Sequence, residues 1–340
     1  MTPPVKVGIV GCGAHAQLAL IPALKHNSNA ELVAVCDQDI RKLNHVRRLH
    51  KVPRHYQDFD DFKADEGIDA VIIATPNHLH APMAVAAMEY GKHVLVETPM
   101  ALNAEEAELM IRTARREKRM LTPCLNTRLR PDVQTIRRFI DGRELGDLYY
   151  CKTGWLQGRE SWALSGWRGQ RIRAGGGVFL SLGTPLLDFA LWLLEPHKPK
   201  SITGMVHHRT GPSDVEDTAF AMIRFDSELL LTVEVGWSLS MDNDFRYFNA
   251  FGSAGAALLN PIQIHKEMHG HLVNVTPRIE TQGLNRASHR LLIDLWVESM
   301  LKEKPLAMTA EDGLLISRLA DAFYESSSTG REVTLPSDDS

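Results

Sequence analysis

The sequence predicts an α/β fold in two parts: a doubly wound parallel sheet, then an α+β domain with a large, mostly antiparallel, open sheet. Up to residue 123, short apolar runs alternate with patterns of helical period, as in parallel strands joined by helices. Further on, β-rich segments follow one another without helices between them, which favours antiparallel pairing. Because 340 residues is long for one core, we expect two domains, at 1–123 and 124–340.

The first strand, Val5–Val10, leads directly into a glycine turn. Gly11, Gly13 and Ala16 occupy the three small-residue positions of the G-x-G-x-x-[GA] fingerprint of a Rossmann unit. The first permits a tight turn, the second lets a pyrophosphate approach the backbone, and the third lets helix and strand pack closely. The free N–H groups at the start of the following helix would hold the phosphates.

An acidic residue completes this unit. The second strand, Glu31–Cys36, ends in Asp37, about 20 residues past the turn, where a carboxylate would accept hydrogen bonds from the ribose 2′-OH of NAD. The same carboxylate would repel the 2′-phosphate of NADP, so NAD is the expected cofactor. The alternative is an ordinary tight turn with an aspartate at a strand end.

Further strands of the first domain are predicted at 69–74, 93–97 and 120–124. Asn103, with Glu106 three residues later, indicates the start of a helix. The loops after two strands carry polar groups, and loops at the carboxyl ends of parallel strands line the ligand crevice. Both loops, 74–80 and 96–99, are therefore candidates to contact the cofactor.

The second half begins with a predicted helix at 131–141, and two helices, at about 286–302 and 310–327, close the chain. Apolar alternation on both sides of Asp226–Glu228 predicts a β-hairpin. The β-rich segments predicted between these helices are 148–156, 201–208, 218–224, 229–237, 245–251 and 272–276.

Composition excludes several function classes. The net charge of −4 gives no electrostatic basis for binding nucleic acid or an anionic membrane. The four cysteines are scattered, which fits a reducing, cytoplasmic compartment, and we expect no signal peptide before the first strand. The apolar segment Val178–Leu194 is interrupted by polar residues and is expected to be a buried helix. His265, His269 and His271 are expected to be surface histidines, with no metal.

The stretch AVIIATPNHLHAPMAVAAMEYGKHVLVETPMALNAEEA, residues 70–107, resembles the Gfo/Idh/MocA family of glucose-fructose oxidoreductases and inositol dehydrogenases. The glycine turn, Asp37, the T-P-N-H-x-H loop, G-K-H-V and the E-x-P turn match in order. The resemblance implies an NAD(P)-dependent oxidoreductase acting on a sugar, cyclitol or related hydroxy compound. It also implies a dimer or tetramer built on the sheet of the second domain.

The resemblance extends to the N-x-R-x-x-P link that starts at Asn126, to Trp167-Arg168 and to the glycine run 175–177. Arg171 and Arg173 could clamp a substrate carboxylate or phosphate, or could be solvent-exposed loop arginines. The turn and the resemblance together predict cofactor contacts from Gly11, Gly13, Ala14, His15, Ala16, Asp37, Thr75, Pro76, Asn77, His80, Glu97, Asn126, Trp167 and Arg168.

The chain departs from the family at three positions. Alcohol oxidation needs a base for the hydroxyl proton, which the family commonly supplies through a lysine, an aspartate and a histidine. Here those positions are Thr98, Ser181 and Pro185. His80 and Asp188 are the candidate catalytic residues that remain. The other candidates for a replacement base are Tyr149, Tyr150 and Lys152.

Three hypotheses follow. The first is an oxidoreductase with altered acid–base residues. The second is a catalytically silent nucleotide-binding paralogue that serves as a sensor or partner subunit. The third is redox-assisted glycoside cleavage with retained NAD, which some members of the family perform.

Overall fold

The computed structural model describes residues 3–158, 166–208, 213–304, 306 and 308–336. The chain divides into two units. The first comprises Met1–Asn126 and Asn285–Ser317, and the second comprises Thr127–Leu284 and Arg318–Ser340.

The first unit contains a six-stranded sheet in the order β3-β2-β1-β4-β5-β6, and every neighbouring pair is parallel. This confirms the predicted doubly wound sheet. The sequence analysis missed β3 because three residues are too short for a period to show. The strands are β1 Val5–Val10, β2 Ala30–Cys36, β3 Arg54–Tyr56, β4 Ala70–Ile73, β5 His93–Val96 and β6 Leu121–Pro123.

Helices cover this sheet. Asn103 begins α5 as predicted, since its side chain accepts a hydrogen bond from the N–H of Glu106 (2.9 Å). The helices before residue 126 are a π-helical turn Ala16–Leu20 continued by α1 Ile21–His26, α2 Ile40–His50, α3 Phe59–Ala64, α4 His80–Glu89 and α5 Ala104–Glu117, with a 3₁₀ turn at Asn77–Leu79.

The division of the chain differs from the expected one, because residues 285–317 return to the first unit. They contain most of α9 (Leu284–Lys302) and the start of α10 (Ala310–Thr329). Ala310 belongs to the apolar core of the first unit. The side chain of Asn27 donates to Asp294 (2.6 Å). Such contacts join distant parts of the sequence, so the helical pattern alone could not reveal them.

The second unit contains a nine-stranded sheet in the order β14-β13-β12-β11-β7-β10-β9-β8-β15. Strand β10 pairs parallel with β7, and the other pairs are antiparallel. The β9–β10 hairpin is confirmed, whereas β12, β13 and β15 were missed. The strands are β7 Leu148–Gly158, β8 Pro199–His207, β9 Thr218–Phe225, β10 Leu230–Leu239, β11 Phe245–Gly252, β12 Gly255–Leu259, β13 Gln263–Met268, β14 His271–Asn274 and β15 Val333–Thr334.

The apolar helix of the second unit packs on one face of its sheet. By length and composition Arg171–Leu194 could cross a membrane, but 83% of its most apolar window is buried, as in the core helix of a globular domain. Phe189 meets Phe248 of β11 edge to face (5.5 Å between ring centres). The helices of this unit before β8 are α6 Pro131–Asp141, α7 Arg171–Ala174, a π-helical turn Phe179–Gly183 and α8 Thr184–Leu194, with 3₁₀ turns at Asn126–Leu129 and Gly166–Gly169.

Candidate cofactor and substrate sites

Gly11 lies where the carboxyl ends of β1, β2 and β4 meet. Its N–H donates to the carbonyl of Cys36 (2.8 Å), and the N–H of Ala74 donates to the carbonyl of Val10 (2.9 Å). The φ of Gly11 is +96°, and a Cβ here would collide with the carbonyl group of Ala74. Only glycine satisfies both constraints, so this position holds the crevice together.

Gly13, unlike Gly11, lies beside open space. Among the described residues no atom lies within 4 Å of the place that a Cβ would take. The helix begins at Ala14, and Ala14 and His15 are exposed while Ala16 is buried against the sheet. An open space beside a glycine and the first turn of a helix fits the pyrophosphate of a dinucleotide.

Asp37 is held in place by both carboxylate oxygens. Oδ2 accepts a hydrogen bond from the N–H of Cys12 (2.7 Å), and Oδ1 accepts one from the N–H of Asp39 (2.8 Å). The carboxylate is therefore oriented at the end of β2 and beside the glycine turn. This is the position from which an acid recognises the adenosine ribose.

His80 is not available as a base, and it is too buried to contact a cofactor. Its side chain is 1% exposed, with Nδ1 2.8 Å from the carbonyl of Pro99 and Nε2 2.9 Å from that of Thr75. Burial lowers the pKa of His80, although both hydrogen bonds raise it. The ring joins the two polar loops, so the prediction of a catalytic and cofactor role was wrong. The neighbouring residues Pro76 and Asn77 begin the 3₁₀ turn that precedes α4.

Glu97 and His15 form a pair beside the glycine turn. Nε2 of His15 is 2.9 Å from Oε1 of Glu97, and the His15 ring meets the ring of His289 edge to face (5.3 Å). Burial raises the pKa of Glu97. The charges of His15 and His289 and hydrogen bonds from His15 and Cys124 outweigh burial, so the pKa falls to about 2. This carboxylate therefore stays ionised.

Asn126 contacts α9 beside His289, the residue whose ring meets His15. Its amide nitrogen donates to the hydroxyl of Ser288 (2.9 Å) and lies 3.3 Å from Nδ1 of His289. Nδ1 of His289 also lies 2.7 Å from the carbonyl of Asn285, which requires a proton on that nitrogen. Sequence reasoning missed His289, because nothing in its local pattern predicts a contact with His15, which lies far earlier in the chain.

In the second unit, the glycine run is explained by packing. A Cβ on Gly176 would collide with the hydroxyl of Tyr324, and one on Gly177 would collide with Glu216. Glu216 accepts hydrogen bonds from the N–H groups of Gly177 (2.9 Å) and Phe179 (3.0 Å) and from Tyr324 (2.9 Å). Burial raises the pKa of Glu216, and these hydrogen bonds lower it in part.

The helix that carries Ser181 and Pro185 changes its hydrogen-bond pattern between these two residues. Ser181 lies in the π-helical turn, which continues without a break into α8 at Thr184, so Pro185 lies within one helical stretch and its missing N–H removes a hydrogen bond to the preceding turn. The Thr184 hydroxyl donates back to the carbonyl of Leu180 (2.6 Å). Ser181 and Pro185 bring no ionisable group to this face.

Asp188 is paired and buried. Oδ1 accepts hydrogen bonds from Nε (2.7 Å) and Nη2 (2.6 Å) of Arg128, and the Asp188 side chain is 1% exposed. The prediction of Asp188 as a catalytic base was therefore wrong, since its charge is already committed.

The other three candidate bases on β7 do not lie with Pro185. Successive side chains of a strand alternate between faces, and α8 packs on the face that carries Thr153. Tyr150 and Lys152 lie on the opposite, open face. Tyr149 shares the helix-covered face, but it lies at the other end of the strand and is 56% exposed.

Arg171 and Arg173 do not form a clamp. They lie on α7, a single turn, and positions two apart on a helix do not face each other. The guanidinium of Arg171 packs over the ring of Tyr324 (5.1 Å). Both arginines are exposed, and their substrate contact stays a prediction. Trp167 and Arg168 stack on each other (4.5 Å), and their cofactor contact stays a prediction.

A second group of polar side chains, which the sequence analysis missed, lies where β7 and β10 end and β11 begins. It contains Arg246, Gln157 and Trp237. Each residue resembles an ordinary strand residue in sequence, because only the strand register brings them together. The described part of the chain holds no group of three or more His, Cys, Asp or Glu side chains placed to bind a metal.

Two family models match the chain: an NAD-binding Rossmann domain over residues 5–124 and a C-terminal alpha/beta domain over residues 137–335, both of the Gfo/Idh/MocA oxidoreductases. The chain therefore belongs to the Gfo/Idh/MocA family. Its first unit binds NAD, and the chain is an NAD-dependent oxidoreductase of the dehydrogenase type.

Named relatives agree with this class. The chain is 25% identical to D-glucoside 3-dehydrogenase of Escherichia coli (strain K12) over 349 residues, covering 98% of each chain. It is 28% identical over 270 residues to a protein of Amycolatopsis mediterranei (strain S699) that is named as a UDP-kanosamine synthase oxidoreductase subunit. This match covers 74% of each chain. Levoglucosan dehydrogenase, solved with NADH and levoglucosan, has the same fold (TM-score 0.87, 22% identity, 98% and 100% covered).

The two glycines of the turn should respond differently to substitution. We expect Gly13→Val to reduce NAD affinity at least ~100-fold with an unchanged melting temperature, because the new side chain enters the pyrophosphate space. Gly11→Val should instead destabilise the fold by about 2–4 kcal/mol, because it combines strain with a collision. Calorimetric titration with NAD and thermal unfolding measure both effects. Unchanged NAD affinity in Gly13→Val would show that the phosphates bind elsewhere.

Glu97 should contribute stability that acid removes. Its pKa lies at about 2, below the ordinary value of 4.5, so the contribution is complete above pH 4.5 and is lost as the pH falls towards 2. The free energy of unfolding of the wild type, relative to Glu97→Gln, should therefore fall by up to about 3 kcal/mol across this range.

Urea unfolding at pH 6, 5, 4 and 3 measures this difference. Glu228→Gln, which removes an exposed negative charge from a hairpin turn, is the control. A wild-type advantage that is independent of pH would show that the ionised form of Glu97 has no special stabilisation.

Proposed function

We propose that the chain is an NAD-dependent oxidoreductase for a sugar, cyclitol or related hydroxy compound that works without the usual proton relay. The observation that carries this proposal is an intact cofactor turn combined with Thr98, Ser181 and Pro185 at the three relay positions. The relatives named as sugar dehydrogenases support the substrate class.

The missing relay affects the removal of the hydroxyl proton and leaves the hydride transfer to the cofactor unchanged. When NAD is bound, its nicotinamide accepts the hydride from the substrate carbon. Within the chain, the Gly11–Ala16 turn and Asp37 bind the cofactor, and Glu97 stays ionised beside the turn. A threonine, a serine and a proline cannot take the hydroxyl proton near neutral pH without an activating partner. Proton removal would then fall to water or to a group of the substrate.

A second candidate function is a catalytically silent, NAD-binding sensor or partner subunit. A specific observation favours it: two of the five candidate bases are engaged, His80 between two carbonyl groups and Asp188 with Arg128. Such a chain would still bind the cofactor, because these contacts do not involve the glycine turn.

We also propose that the chain forms a homo-oligomer through the open face of its large sheet. Met205 and Phe220 are register partners on β8 and β9, and they are 65% and 48% exposed. A neighbouring apolar surface on an uncovered sheet favours association with a second copy. The four cysteines form no disulfide with one another, which supports a reducing, cytoplasmic location.

Turnover should be slow on the common substrates of the family. General acid–base assistance contributes about 10²–10⁴-fold, so a panel of sugars and cyclitols with NAD should react at least ~100-fold slower than with ordinary dehydrogenases. Nicotinamide absorbance measures the rates. Ordinary rates on any member of the panel would show that another group has taken over the proton.

The variant that combines Thr98→Lys, Ser181→Asp and Pro185→His tests the cause. Restored turnover would place the defect in the relay. The matched control is Thr98→Met with Ser181→Asn and Pro185→Gln, which changes size at the same positions without adding a base. Tight NAD binding without turnover in the restored variant would favour the silent paralogue.

Light scattering should find a dimer or tetramer of the 38.0 kDa chain at micromolar concentration. Phe220→Glu should shift it towards monomer, because a charge on the covered face would be desolvated. Leu18→Glu, at a position that is 79% exposed in the first unit, is the control and should leave the mass unchanged. A monomeric wild type would contradict the proposal.

A further inference from the structure

Arg246 is placed beside the helix face that carries the substituted relay positions. It lies opposite Trp155 in the β11–β7 register, with its guanidinium 4.5 Å from the Trp155 ring and 5.7 Å from the ring of Phe189. Phe189 follows Pro185 by four residues on α8, so both lie on one side of that helix. The cation therefore borders the place where the relay residues are expected in the family.

The guanidinium of Arg246 lacks a carboxylate partner within the described ranges. Its Nε is buried and has no hydrogen-bond partner there, and its Nη2 makes a long hydrogen bond to the hydroxyl of Thr127 (3.4 Å). Stacking on an aromatic ring compensates a buried cation only in part. An unpaired guanidinium at such a position is costly unless a ligand supplies the missing acceptors.

Two nearby carboxylates are committed to other arginines, and a third, that of Asp244, accepts a hydrogen bond from Nε2 of Gln157 (3.2 Å). Asp132 accepts two hydrogen bonds from Arg130 (2.6 and 3.1 Å), and Asp188 accepts its pair from Arg128. Burial and the charge of Arg130 lower the pKa of Arg246 to about 9, while Asp132 raises it. Arg246 is therefore still a cation at neutral pH.

Two more polar atoms close to this end of the sheet lack partners in the described chain. Oε1 of Gln157, two residues beyond Trp155 on β7, is a buried acceptor. Nε1 of Trp237, on the adjacent β10, is a buried donor. Buried polar atoms normally have partners, so a donor, an acceptor and a cation without them indicate a surface built for a polar ligand.

We propose that Arg246 binds a carboxylate group of the substrate, and that this chain takes a sugar acid such as a hexuronate in preference to a neutral sugar. The proposal rests on the proposed function, because it names the substrate class of the same site. A single planar guanidinium matches a carboxylate with two parallel hydrogen bonds. Oε1 of Gln157 would accept a hydrogen bond from one sugar hydroxyl, and Nε1 of Trp237 would donate a hydrogen bond to another.

The test uses matched pairs of ligands that differ only at C6. Methyl glycosides of glucose, galactose, mannose and N-acetylglucosamine are titrated calorimetrically into the NADH-loaded full chain, each beside its C6 uronate. Charged hydrogen bonds in a partly buried site predict about tenfold tighter binding of at least one uronate. Arg246→Met should reduce that preference to less than about twofold, and Arg246→Lys should keep part of it.

Arg224→Met is the matched control, because it removes an exposed arginine from the same sheet, and it should keep the wild-type preference. The proposal is overturned if no uronate binds more tightly than its neutral partner. It is also overturned if Arg246→Met weakens both members of a pair equally, since a structural role would do that.

The same titrations separate this proposal from the proposed function. Loss of the proposed function would appear as a failure of the wild type to bind NADH or to oxidise any member of the panel. If the chain binds uronates selectively but oxidises none of them, the carboxylate site is supported and the proposed oxidoreductase function is contradicted. If the chain oxidises neutral sugars and shows no preference for uronates, the oxidoreductase function is supported and the carboxylate site is contradicted.

Discussion

The first unit depends on the close approach of three strand ends at Gly11. Because this residue has no side chain and adopts a positive φ, β1 can turn against the carbonyl of Ala74 while its N–H bonds to the end of β2. The same contact brings Asp37 to one side of the turn and Thr75 to the other. Glu97 joins this edge because its N–H bonds to the end of β4 (3.0 Å to the carbonyl of Ile73). Residues from Gly11 to Glu97 in the sequence thus surround one crevice.

Much of this unit was predictable, because its signals are local. Apolar runs, a glycine turn and a capping residue each occupy a few adjacent positions, and parallel order follows from their alternation with helices. The same reasoning failed for β3, β12 and β13, which are short and carry little periodicity. It also placed residues 285–317 in the wrong unit, because the contacts of Asp294 and Ala310 with the first unit have no counterpart in local pattern.

The errors at the site have a common physical cause. Composition shows that a histidine or an aspartate is present, but only the fold shows which acceptors or charges already engage it. His80 bridges two carbonyl groups and Asp188 neutralises a buried arginine, so both side chains that resembled spare bases have structural roles. Arg246 was overlooked because only the fold shows that, within the described residues, no carboxylate pairs with its guanidinium.

The second unit carries a serine and a proline on the helix that follows its glycine run. Ser181 and Pro185 supply no proton acceptor, and the π-helical turn before Thr184 accommodates the proline without distorting α8. The glycine run and Glu216 still fix where that helix begins. The start of that helix therefore does not depend on an ionisable group at these two positions. Within the described residues, two buried arginines pair with aspartates, whereas Arg246 has no carboxylate partner. Anion recognition by Arg246, as proposed, does not depend on a proton acceptor at Ser181 or Pro185, because Arg246 lies on β11 and those two residues lie on the helix.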